Sequence, residues 1–187
     1  MSRFRRPRAD PTGRVVESFG REWKRFSNES LSESELVAMF ESYMAIFPWQ
    51  SLPEDAVGFD AGCGSGRWAQ FVAPRVGHLH CIDASEAALK VARRVLSDCD
   101  NVDFRQEDLR DFSVEDSSCD FGYSLGVLHH IPEVEVALAT CVAKLKPGAP
   151  FLCYLYYDLE EAGYCRRFLL LMVNSGRWLV SRSPWLV

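Results

Sequence analysis

Two carboxylates and three glycines at fixed spacing are the residues of this chain best equipped for chemistry. Asp60 is followed by Gly62, Gly64 and Gly66 in the run Val57-Gly58-Phe59-Asp60-Ala61-Gly62-Cys63-Gly64-Ser65-Gly66-Arg67-Trp68, and a second acid, Asp83, closes the next apolar run. Such a segment reads as a strand that turns sharply into a helix. Glycines in the turn accept positive φ and let a ligand approach bare backbone. A plain tight turn would also call for glycine, but strand, acid, alternating glycines and helix in that order point to a bound cofactor. The dinucleotide fingerprint GxGxxG requires glycine where Arg67 stands, which disfavours a nicotinamide oxidoreductase. Further on, His129 and His130 are adjacent. An imidazole, with an ordinary pKa of about 6.5, can serve as a general base near neutral pH. It can equally cap backbone carbonyls at the end of a strand.

These residues need a scaffold, and the pattern around them alternates strand and helix. Ala56 to Asp60 predicts a first strand and Gly66 to Ala73 a helix ended by Pro74. His78 to Asp83 predicts a second strand, and Ser85 can cap a helix through Leu96. Val102 to Asp108 and Asp120 to Gly126 follow as strands three and four. Pro132 suits the first turn of a helix whose Val134, Ala137, Leu138, Cys141 and Leu145 share a face, broken by Lys146-Pro147-Gly148. Phe151 to Tyr157 is a fifth strand. Upstream, Leu36, Met39, Phe40, Tyr43 and Phe47 form a helical stripe from Ser32 that Pro48 stops. Repeated units of this length imply right-handed crossovers and a doubly wound parallel sheet covered on both faces. Ligands of such sheets sit at the C-terminal strand ends.

Composition narrows the classes of function. With 187 residues, 48% of them hydrophobic and 25% charged, the chain suits one folded domain with a core. The net charge of −5 argues against broad phosphate neutralisation, and so against nucleic acid as partner. Seven cysteines form no CxxC pair, so neither a zinc site nor a disulfide framework is legible. Free cysteines and the lack of a leader-like apolar stretch lead us to expect a cytoplasmic protein. The apolar run Phe168 to Val173 is far shorter than the roughly 20 residues that span a bilayer.

In its ordered motifs, residues 55 to 157 resemble the class I S-adenosylmethionine-dependent methyltransferases of small-molecule type, whose first motif is an acid followed by GxGxG. The resemblance implies a Rossmann-like α/β fold with S-adenosylmethionine as cofactor, held by Asp60, Gly62, Gly64, Ser65, Gly66, Asp83, Ala84, Asp108, Leu109 and Ser124. In it, Asp83 grips both ribose hydroxyls, Ala84 lies beside the adenine, Asp108 accepts from the exocyclic amine and Leu109 covers the ring. Tyr123 to Pro132 resembles the stretch after strand four, and Leu145 to Ala149 the turn before strand five. His129 and His130 are then the candidate catalytic bases, facing a small-molecule acceptor methylated on O, N or C. No metal is expected.

Phe19 to Phe26 resembles the family's N-terminal cap. The expected organisation is a flexible basic arm over 1–14, a helical cap over 15–50, the cofactor-binding core over 51–158 and a C-terminal helical segment over 159–187. The family's last two strands are not legible, which suggests part of a longer enzyme. The C-terminal segment, with Phe168, Leu169, Met172 and Leu179 among four arginines, could meet a membrane surface or a partner. The alternative function is therefore a catalytically inactive cofactor-binding module that acts through a protein partner.

Overall fold

The computed structural model describes residues 32–155. The basic arm, the cap residues 19–26 and the C-terminal helical segment lie outside the described residues.

Helix α1, Glu33–Tyr43, begins at a capping box in which the Ser32 hydroxyl accepts from the Glu35 N–H and the Glu35 carboxylate accepts from the Ser32 N–H. It ends four residues before the position expected from Pro48; Met44 forms its C-cap, and a turn carries the chain on to Pro48. Leu36 and Phe40 are buried, as are Met44 and Phe47 beyond the helix end. Strands β1 (Val57–Ala61), β2 (His78–Asp83), β3 (Val102–Gln106), β4 (Phe121–Leu125) and β5 (Phe151–Tyr154) alternate with helices α2 (Ala69–Val72), α3 (Glu86–Val95) and α4 (Val134–Lys144). Between β3 and β4 the connection has no helix. All four pairings are parallel, in the order β3-β2-β1-β4-β5. The chain thus builds outward from β1 on one side, then crosses to the other, and the reversal opens a crevice at the C-terminal ends of β1 and β4.

Alternating strand residues feed a core on each face. Leu79, Cys81, Phe121 and Tyr123 join Phe40, Met44, Val72 and Leu89 on one side. Phe59, Ala61 and Ile82 join Phe112, Leu128, Ala137 and Cys141 on the other. Two glycines make the strands fit: a Cβ on Gly58 would stand 2.2 Å from the Phe121 ring, and one on Gly122 would stand 2.3 Å from the Phe59 ring.

The observed α2 is one turn, continued by a 3-10 turn over Ala73–Arg75, because Pro74 cannot donate to an α-helical ladder. Pro132 precedes α4, whose N-cap is Glu133, rather than lying in its first turn. Ala137 and Cys141 on α4 and Leu145 at its C-cap are buried, but Leu138 of the expected face is 38% exposed. The helix turns that side away from the sheet. No helix among the described residues is long and apolar enough to cross a membrane.

Candidate active site

The crevice contains the glycine turn. Gly62, Gly64 and Gly66 all have positive φ, at 86°, 54° and 79°. The Gly62 and Cys63 N–H groups donate to the Ile82 carbonyl, which ties the turn to β2. At the end of β2, Asp83 spans two segments: Oδ2 accepts from the Gly64 N–H at 2.9 Å and Oδ1 from the Ser85 N–H at 2.8 Å. Burial raises the Asp83 pKa, opposed by these two backbone donors. One carboxylate therefore shapes the turn and also fixes the start of α3, where the Ser85 hydroxyl accepts from the Ala88 N–H.

The cleft is lined by Gly62, Gly64, Asp83 and Ala84 on one wall and by Asp108 and Leu109 on another, with His130 among its further lining residues. Gly126, after β4, also lines it with φ 76°, and a Cβ built there would meet nothing within 4 Å. Bare backbone thus faces open space at that point. Asp108 is held by Arg110, which donates from its backbone N–H and from its guanidinium, and this lowers the Asp108 pKa. Arg110 Nη1 reaches Glu133 at 2.7 Å, so the loop after β3 is tied to the start of α4.

Four of the ten residues expected to hold the cofactor do not line the cleft. Asp60 is buried behind the turn, beside the buried Tyr123 hydroxyl. Burial pushes the Asp60 carboxyl up to about 8, with Tyr123 opposing the rise and the Asp83 charge adding to it. The Ser124 hydroxyl donates to the Ala61 carbonyl at 2.8 Å and so joins β4 to β1. Gly66 lets α3 approach, since its Cβ would lie 3.2 Å from Leu96. Ser65 is buried in the turn.

The two histidines lie in a 3-10 turn, Leu128–His130, with ring centroids 3.9 Å apart. Only His130 borders the cleft. His129 is set back, and burial, followed by the His130 charge, lowers its pKa. Sequence reasoning missed Arg67, Trp68, Val127 and Ile131 in the lining, and Arg110 as the holder of Asp108. Arg67 and Trp68 were within reach of it, because they directly follow the glycine turn.

A parallel sheet with a glycine turn, an acid at the end of the second strand and an apolar-walled cleft at the topological switch defines an α/β protein built to hold a nucleoside cofactor. The model of the methyltransferase-domain family matches residues 59–153, and the chain belongs to that family, the class I S-adenosylmethionine-dependent methyltransferases. A ubiquinone biosynthesis O-methyltransferase of Hahella chejuensis is 35% identical over 92 residues, which cover 48% of this chain and 39% of that protein. Phosphoethanolamine N-methyltransferase 2 of Caenorhabditis elegans is 34% identical over 100 residues, covering 52% and 23%. The chain therefore spans well under two thirds of the length of these relatives. Among solved structures, phosphoethanolamine N-methyltransferase 1 of Haemonchus contortus, in complex with phosphoethanolamine and S-adenosylhomocysteine, has the same fold: TM-score 0.51, 18% identity, 70% of this chain and 30% of that one.

The residues fit the family's cofactor, S-adenosylmethionine. The cleft offers an acid beside bare glycine backbone, an apolar side chain in Leu109 for a ring, and unfilled space at Gly126.

Proposed function

We propose that this chain is a methyltransferase that moves the methyl group of S-adenosylmethionine to an O, N or C atom of a small-molecule acceptor. The observation that carries this reading is the convergence of the glycine turn, Asp83, Asp108-Leu109 and His130 on one cleft at the strand ends. The names of the relatives, an O-methyltransferase of ubiquinone biosynthesis and a phosphoethanolamine N-methyltransferase, support a small acceptor. The six free cysteines among the described residues support work in a reducing compartment, the cytoplasm.

Bound there, the cofactor supplies a methyl group already activated on a sulfonium. The protein's share is then alignment and exclusion of water, and positioning alone can contribute up to about 7 to 11 kcal/mol. Asp83 holds the ribose hydroxyls and Leu109 the adenine face, while Asp60 acts from behind the turn as a buried acid. His130, exposed at the cleft, takes the acceptor's proton where one must leave.

The test is methyl transfer from labelled cofactor to a panel of small hydroxyl, amine and phenol acceptors. With an acceptor in hand, His130→Gln should lower the rate by about a hundredfold or more and leave cofactor affinity nearly unchanged. His129→Gln should act mainly on stability. Full rates and an unaltered pH profile in His130→Gln would remove the base. Cofactor binding without transfer to any acceptor would favour a module that acts through a partner.

A further inference from the structure

The outer part of the sheet gathers a second set of chemically able side chains, none of which lines the cleft. His78 and His80 are two residues apart on β2 and so share one face, and Asp103 on the edge strand β3 is directly opposite His80 in the parallel register. His78 Nε2 lies 2.9 Å from Asp103 Oδ1, and His80 Nδ1 is bonded to the same oxygen. The three potential ligand atoms all lie within 4.8 Å of one another. Solvent reaches them, because the His78, His80 and Asp103 side chains are 37%, 14% and 36% exposed.

We infer that His78 Nε2, His80 Nδ1 and Asp103 Oδ1 form a binding site for a divalent transition-metal ion of the zinc class, with solvent in the remaining position. Two imidazole nitrogens and one carboxylate oxygen make a donor set that suits zinc, cobalt or nickel far better than magnesium or calcium. Metal–ligand distances of about 2.0 to 2.2 Å place tetrahedral ligand atoms roughly 3.3 Å apart. The observed 2.9 Å between His78 and Asp103 has to open by a few tenths of an ångström, and the closer His80–Asp103 contact by more. On binding, each imidazole keeps one proton on its other ring nitrogen, any second ring proton passes to solvent, and His78 Nε2, His80 Nδ1 and Asp103 Oδ1 each give one lone pair to the ion.

A supporting shell is already in place. Arg105 Nε donates to the other carboxylate oxygen, Oδ2, at 2.7 Å, and Arg105 Nη1 is held by the Ser113 hydroxyl at 3.0 Å. That contact orients Asp103 and leaves Oδ1 to face the histidines, and ligating carboxylates are commonly held by such hydrogen bonds. Arg105 also places a positive charge near the ion, with Nη2 3.5 Å from His80 Nδ1, so the affinity is lower than the same three ligands would give without that charge. Bound there, the ion clips the edge strand β3 to β2. Because the unfolded chain holds no preformed site, binding stabilises the fold.

The experiment is calorimetric titration of the full chain with Zn²⁺, repeated with Co²⁺ under absorption spectroscopy. The chain has four histidines, and the other two stand near the cleft, so variants can separate the sites. One ion per chain is expected, with a raised unfolding midpoint. Asp103→Asn and His78→Gln should each weaken binding by about a hundredfold or more, and His130→Gln should leave it unchanged. His78 is half-exposed, so its replacement keeps the fold if Asp103→Asn does not. Absence of binding would show that the cluster is an ion pair only. Binding that survives both site variants, or a thiolate charge-transfer band with Co²⁺, would place the ion elsewhere. Any of these results overturns the assignment.

Discussion

Asp83 does two jobs with one carboxylate, and its replacement separates them. Asp83→Ala removes the acceptor for the Gly64 and Ser85 N–H groups and the expected grip on two ribose hydroxyls. Hydrogen bonds to charged groups contribute roughly 1.5 to 3 kcal/mol each, so cofactor affinity should fall by about a hundredfold or more. Calorimetry on variant protein whose circular dichroism is native checks this, and unchanged affinity would leave Asp83 as a cap alone. Asp60 makes a different prediction, in pH. Its folded pKa of about 8 stands above the ordinary carboxylate value of about 3.9, so the folded chain holds a proton that the unfolded chain has released. Its contribution to stability is fully present below about pH 4 and is lost as pH rises towards 8. Asp60→Asn lacks this loss. Relative to the variant, the wild type without cofactor should therefore lose on the order of a few kcal/mol between pH 5 and 8. Urea denaturation at both values measures it, and a difference that does not change with pH would contradict the buried, protonated Asp60.

At the scale of elements, the glycines divide into those that let strands pack and those that face the ligand. Gly122→Ala drives a Cβ to 2.3 Å from Phe59 in the core, an overpacking that costs about 1 to 3 kcal/mol. Gly126→Ala meets no atom within 4 Å, so it costs only the positive-φ strain of about 1 to 2 kcal/mol but intrudes on the cleft. Denaturation midpoints should fall more for Gly122→Ala, and cofactor affinity more for Gly126→Ala. The reverse pattern would contradict the assignment of the cleft. The elements themselves were well marked in the chain. β2 spans the expected residues, and Ser85 caps α3, because an apolar run bounded by an acid and a hydroxyl leaves few alternatives. Less legible were the ends of α1 and α4, which packing settles. Helical spacing put Ala137 and Cys141 on the buried face of α4 and left out Val136 and Val142, both exposed, but it also placed there Leu138, which the packing leaves exposed. The alternation His78-Leu79-His80 was visible, yet its meaning depends on Asp103, which only the register of β3 brings alongside.

At the scale of the whole molecule, chain order explains why the site exists. The sheet reverses direction of growth at β1, and the glycine turn, Asp83 and the loop after β4 are brought together because each follows a strand next to that reversal. Motif spacing announced the glycine turn and Asp83. It could not show that Asp60 and Ser124 stand behind the cleft, that His130 and not His129 borders it, or that Arg110 holds Asp108, since these depend on side-chain direction. The central claim is that this cleft takes S-adenosylmethionine and not a dinucleotide. The most direct measurement is calorimetric titration of the purified chain with S-adenosylmethionine and, separately, with NAD. The account predicts saturable one-to-one binding of S-adenosylmethionine, lost on Asp83→Ala, and no heat with NAD. Tight binding of NAD with no response to S-adenosylmethionine would contradict it.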